Sequence, residues 1–177
     1  MKTWYERGEC EHGCCSPEEV YRHTSDAIDE PGWMVISVLG EHGDPSAPPW
    51  AYTIGLVQRF GHPEFTVVGL DTESSHGLLN WLGFEVKNGR RFTSDTPATI
   101  DILGLPARLV DVHPSYWESD WFNQWHGYYE SLGYGPGLPT AIQVLWPDNG
   151  GRFPDEAGAE ELQRCQPLLT RPPRSAN

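Results

Sequence analysis

The first chemistry in this sequence lies in four consecutive residues, Gly61-His62-Pro63-Glu64. An imidazole titrates near neutrality, and a carboxylate two residues on can fix its tautomer. That pairing suits general acid/base catalysis, with His62 as acid or base and Glu64 as its orienting group. Pro63 biases His62 toward an extended backbone. The same residues also spell a turn whose histidine caps a strand end by hydrogen bonding. Candidate substrate-binding residues follow from type and position. Tyr52 and Thr53 stand just upstream, and Tyr128 lies in an aromatic-rich segment. His76 shares a helical face with Asn80, one turn on. Gln143, with Trp146 and Asp148 close behind it, sits in an otherwise apolar strand. If buried, Gln143 needs partners and would orient a ligand in an apolar pocket; otherwise it faces solvent on a half-exposed sheet. The acid/base expectation requires His62 and Gln143 to line one hollow.

A second cluster is Cys10-Glu11-His12-Gly13-Cys14-Cys15. Thiolates and imidazole ligate zinc, but a closed structural site brings ligand pairs from two places, and Cys165 is the cysteine that could arrive from elsewhere. Three readings stay open: zinc held by Cys10, Cys14 and Cys15, a redox-active cluster, or free thiols on a solvated segment. A third pattern misleads. Trp146-Pro147-Asp148, with Cys165 and Arg171, imitates two signatures of protein tyrosine phosphatases. A phosphate cradle needs amide hydrogens converging in a small-residue loop at a helix N-terminus. Residues 166–170 instead hold Pro167, Leu168 and Leu169, and Pro172-Pro173 opposes the helix that should follow.

These residues need elements to hold them. Ser16-Pro17-Glu18-Glu19 opens a helix, with Ser at the cap and Glu19 placed for a capping box, running to about Ile28. Apolar runs predict strands over 33–39, 50–56, 65–70 and 141–146. Alternation puts Ala51, Thr53 and Gly55 opposite Tyr52, Ile54 and Leu56, and Ile142, Val144 and Trp146 opposite Ala141, Gln143 and Leu145. Asp71 caps a helix over 72–86 with Leu78, Leu79, Leu82 and Val86 on one face, ended by Asn88-Gly89. Residues 99–103 and 108–112 form a hairpin around Gly104–Ala107. The segment 115–132 reads as one helix on which Trp117, Trp121, Trp125 and Tyr128 share a face, suited to core and interface more than to a ligand wall. The sum is about six strands and about three helices: an α+β domain over 16–170 with a largely antiparallel sheet. A polar, cysteine-containing segment (1–15) precedes it and a short tail (171–177) follows. A split β-barrel like that of flavin reductases is the architectural alternative, and flavin is the cofactor it would bring.

Several segments carry a resemblance. Ala51-Tyr52-Thr53-Ile54-Gly55-Leu56, Phe60-Gly61-His62-Pro63-Glu64, Leu78-Leu79-Asn80, Ala141 through Asp148, Gly151-Arg152-Phe153-Pro154 and Gln166-Pro167 follow in this order, with Gly32-Trp33 upstream. Together they resemble the bacterial domain-of-unknown-function family 4262 over about residues 16–169. The resemblance implies that family's fold and a bacterial cytosolic setting, and no reaction. It also matches Cys10, with Cys14 or Cys15, to a cysteine pair some members carry. Asp155 departs from it, standing where members commonly have Trp.

Composition narrows the function. Among 177 residues, 12 are Lys or Arg and 25 are Asp or Glu, a formal charge of −13. No cationic stripe is available to displace counterions from nucleic acid, and an anionic membrane surface repels the chain. No apolar run reaches the length of a membrane span, and Met1 to Arg7 lacks the apolar stretch of a secretory signal, so a cytoplasmic setting is expected. The leading expectation is a binding or accessory module for a small molecule or a partner protein, with a second copy of the chain among the candidates. The rivals are a His62/Glu64 enzyme and a thiol or metal site at the N-terminal cysteines.

Overall fold

Ser16 caps helix α1 (Pro17–Asp29) as its sequence requires. Its hydroxyl accepts the Glu19 amide at 3.3 Å, and the Glu19 carboxylate accepts the Ser16 amide at 2.8 Å. The computed structural model describes residues 16–40, 47–96, 100–117, 119–135 and 140–172. After α1 come strand β1 (Met34–Val38), strand β2 (Trp50–Ile54), the short helix α2 (Leu56–Phe60), strand β3 (Glu64–Val68) and helix α3 (Thr72–Lys87). Then follow β4 (Ile100–Ile102), β5 (Leu105–Asp111), two 3-10 turns (Pro114–Tyr116 and Asp120–Phe122), α4 (Asn123–Ser131), β6 (Ala141–Leu145) and α5 (Glu160–Cys165).

The six strands form one sheet in the order β1-β2-β3-β6-β5-β4. All neighbours are antiparallel except the central β3–β6 pair, which is parallel. The fold is therefore α+β with a mostly antiparallel sheet, as expected. The sheet stays open, with β1 and β4 at its edges, which removes the split-barrel alternative and with it the ground for expecting flavin. Each face of the sheet carries a core. On one, Ala51, Phe65, Val67, Ile142 and Val144 meet Leu78, Leu79, Leu82 and Val86 of α3. On the other, Trp50, Tyr52, Ile54, Val68 and Ala141 meet Ile28 of α1 and Phe122, Trp125, Tyr128 and Tyr129 around α4.

Three local expectations are corrected. The second strand stops at Ile54, because Gly55 takes a left-handed φ of +120° and starts α2, so Leu56 joins the core with Ala51 and Phe65 instead of the face of Tyr52 and Ile54. A side chain there would meet the Gly32 carbonyl at 2.7 Å, so glycine is required. The hairpin turns at Leu103-Gly104, with φ of +56° and +80°, and Leu105 already belongs to β5. The segment 115–132 is not one helix. The Ser119 hydroxyl donates to the Tyr116 carbonyl at 2.5 Å and accepts the Trp121 amide at 3.3 Å, diverting the backbone into 3-10 turns. Trp117 and Trp121 consequently lie outside α4.

Candidate functional site

His62 and Glu64 end up on opposite faces of the sheet. His62 is buried against Phe65 and Phe92, with ring centroids at 5.1 and 6.1 Å. Its Nε2 accepts the Phe92 amide at 3.0 Å, so the proton sits on Nδ1, which donates to the Pro63 carbonyl at 2.7 Å. Both ring nitrogens are thus engaged with backbone. Burial pushes the imidazole below its ordinary range and keeps it neutral.

Glu64 begins β3 and points the other way. Alternation along β3 puts Glu64 on the face opposite Phe65, and His62, which precedes the strand and so escapes that alternation, turns its ring to the Phe65 side. The carboxylate of Glu64 is buried and accepts from four donors. Thr53 Oγ1 lies at 2.6 Å, the Gly55 amide at 2.9 Å and the Val57 amide at 3.0 Å; the Tyr129 hydroxyl closes the set. The amides of Gly55 and Val57 are those at the start of α2, so the side chain serves that short helix as its cap. Burial pushes the carboxyl up, against the Thr53 and Tyr129 hydroxyls and the two amides, which favour its ionised form. Thr53 reaches Glu64 because the β2–β3 ladder ends at Tyr52–Thr66. One residue on, the Thr53 hydroxyl accepts the Phe65 amide at 2.8 Å in the ladder's place.

Gln143 is buried on the Glu64 face, and both ends of its amide are used. Nε2 donates to the Pro167 carbonyl at 2.8 Å, and Oε1 accepts the Leu169 amide at 2.8 Å. The hollow expected between His62 and Gln143 does not form, because the sheet separates them. Nor does His62 pair with Glu64, as the acid/base expectation required. Tyr52 is buried beneath α4 against Phe122, at 5.3 Å between centroids. Tyr128 shares its hydroxyl between Ser25 at 3.1 Å and Gln58 at 3.0 Å. Trp146 Nε1 donates to the Val68 carbonyl at 2.9 Å. Asp148 folds a turn, accepting the Gly150 and Arg152 amides at 2.8 and 2.9 Å. Those two amides and the Arg152 guanidinium hold its carboxyl below the usual range.

His76 meets a residue that sequence reasoning passed over, Ser37 of β1, with Nε2 2.9 Å from Oγ. A serine–histidine contact is the start of a nucleophilic site. Among the described residues no carboxylate orients His76 and no paired amides are aimed beyond Ser37, so the contact ties α3 to the sheet. Gln166 was also missed. It is buried, accepts the Trp146 amide at 3.0 Å and donates back to the Trp146 carbonyl at 2.9 Å. Burial of a long amide in a C-terminal segment leaves no periodic trace in the sequence.

Cys10, Cys14, Cys15 and His12 lie outside the described residues. Among the described residues no group of three or more His, Cys, Asp or Glu side chains is placed to hold a metal. Cys165 is exposed at the C-terminal end of α5, the opposite helix end from the one that cradles phosphate. No described helix is long and apolar enough to cross a membrane.

Charge and exposure at the sheet edge complete the picture. All five residues of β1, Met34-Val35-Ile36-Ser37-Val38, are half-buried, and no described strand pairs with its outer side. Beside it, Trp50 and Trp121 stack at 4.7 Å, and Trp50 Nε1 donates to the Trp121 carbonyl at 2.9 Å. The family model for Domain of unknown function (DUF4262) matches residues 27–160. No curated protein and no solved structure matches the chain.

Proposed function

The chain belongs to the DUF4262 family, whose description states no reaction, and we propose that it is a partner-binding module that receives an extended segment of another protein along β1. One observation carries this reading: among the described residues, β1 is an edge strand without a guard. Natural sheets blunt their edges with lysine, proline, bulges or covering chain. Met34–Val38 has no charge, no proline and no bulge in its pairing with β2, where Met34 to Val38 match Ile54 to Trp50 one for one. An open ladder of that kind is the template for strand addition, in which backbone hydrogen bonds supply affinity and alternate side chains supply selectivity. The internal saturation of His62, Glu64 and Gln143 favours binding over acid/base catalysis, since none of the three has a free atom for substrate among the described residues.

The test is selection of binding peptides from a displayed random library on the full chain, followed by transfer to Ile36→Lys. That substitution places a charge in the middle of the edge. Selected peptides should lose binding to Ile36→Lys by about a hundredfold while thermal unfolding shows the variant folded. Peptides that bind Ile36→Lys as well as the parent would contradict the reading.

A further inference from the structure

We infer that the segment added to β1 carries lysine or arginine at its flanks; this rests on the strand-addition reading and names the chemical class of its ligand. The strand itself is neutral, but the helices packed on its two sides are not. α1 exposes Glu18 and Asp26, with Glu30 just past its end, and the start of α3 exposes Glu73 and its capping Asp71. The His76–Ser37 contact fixes where those α3 acids fall. His76 sits one turn beyond Glu73 and touches the second half of β1, which sets Glu73 near the Ser37–Val38 end. At the other end Arg59 pairs with Asp29, while Lys87 donates to the neutral Glu30 carbonyl at 3.3 Å and keeps its charge, one cation against the five acids named. Arg22 is an exposed cation on α1, outweighed by the acids around it.

A neutral ladder in an acidic frame discriminates by charge. A second copy of the chain would bring another net charge of −13 and the same acids against themselves. A segment with basic flanks reverses the sign of that interaction, while its middle need only alternate. One row of its side chains would extend the apolar row Met34, Ile36 and Val38, which packs beside Trp50 and Tyr52. The other row would lie beside Val35 and Ser37. The framing acids are exposed, so the attraction is screened by salt and acts mainly on the rate of encounter.

The experiment uses two labelled synthetic peptides. Both alternate valine and threonine in the middle; one ends in lysine pairs, its twin in glutamate pairs. Fluorescence anisotropy against the full chain is read at about 20 mM and about 500 mM salt, where screening differs several-fold. Sedimentation of the chain alone runs in parallel. The lysine peptide should bind at least about tenfold tighter than its twin at low salt, and should lose most of that advantage at high salt. Both Ile36→Lys and Val38→Lys should abolish its binding. Twins that bind alike and are both lost in the lysine variants would overturn the charge inference and leave strand addition standing. Twins that bind those variants as well as the parent would overturn both. Failure of both peptides to bind, or a dimer that the variants dissociate, would overturn the basic-segment inference.

Discussion

Four donors converge on the Glu64 carboxylate, and they come from separate parts of the chain: Thr53 in β2, Gly55 at the bend, Val57 in α2 and Tyr129 in α4. Glu64→Ala would take this acceptor from Thr53, Val57 and Tyr129 inside the protein, while the Gly55 amide keeps the Tyr129 hydroxyl at 3.0 Å. The expected cost is about 4 kcal/mol in unfolding free energy, read by urea titration, because each buried unsatisfied group carries its own desolvation penalty. Glu64→Gln keeps an acceptor toward the amides and should cost only about 1 kcal/mol. Equal losses for the two variants would contradict the assigned hydrogen bonds. His62 makes a prediction of opposite sign in pH. Burial lowers its folded value from the ordinary 6.5, so the unfolded chain takes up the proton first. Its contribution is complete above 6.5 and is lost as pH falls through the lowered folded value. Glu64 runs the other way: a raised folded value means its contribution is present below 4.5 and lost as pH rises. The stability difference between the parent and His62→Gln should therefore shrink between about pH 7.5 and about pH 5.5. A difference constant across that range would mean the imidazole is not held neutral.

Elements differ in how plainly the sequence announces them. The capping box of α1 and the Asp71 cap of α3 are local, set by residues three apart, and both were legible. Alternation along β2 and β6 was legible too, except beyond Ile54, where the turn at Gly55 sends Leu56 to the core of Ala51 and not to that of Tyr52. The aromatic segment was not, because Trp117, Trp121, Trp125 and Tyr128 keep a helical rhythm that one serine hydroxyl breaks. The partners of Glu64 and Gln143 were not legible either. Tyr129 is 65 residues from Glu64, and Leu169 is 26 from Gln143. No spacing rule reaches that far, so buried ties looked like candidates for catalysis. Two substitutions test the elements. Leu103 holds a left-handed φ of +56° at an exposed hairpin turn followed by Gly104. Leu103→Asn should stabilise the protein by about 0.5–1 kcal/mol, seen as a higher melting temperature, since asparagine tolerates that conformation. Gly83 lets α3 press onto Trp33, where an added Cβ would lie 2.3 Å from the indole. Gly83→Ala should cost about 2 kcal/mol by overpacking.

At the scale of the molecule, the family match ends at residue 160, yet the structure continues usefully past it. Gln143 and Gln166 bind the segment 166–169 against β6, and the Leu169 carbonyl accepts the His113 amide at 2.7 Å. Removing residues 166–177 should lower unfolding free energy by about 3 kcal/mol, because the buried Gln143 amide then has no partner. A truncation without effect on urea stability would show that the segment is dispensable. The two cores, on opposite faces, fix the sheet and leave β1 as its neutral, half-buried margin. The most direct measurement of that claim is amide hydrogen exchange along residues 34–38, in the full chain alone and with a peptide selected to bind it. The outward amides should exchange rapidly in the free chain, while the inward ones bonded to β2 stay protected, and the peptide should slow the outward set by at least about tenfold. Outward amides already as slow as the inward ones in the free chain, or unchanged by the bound peptide, would contradict strand addition at β1.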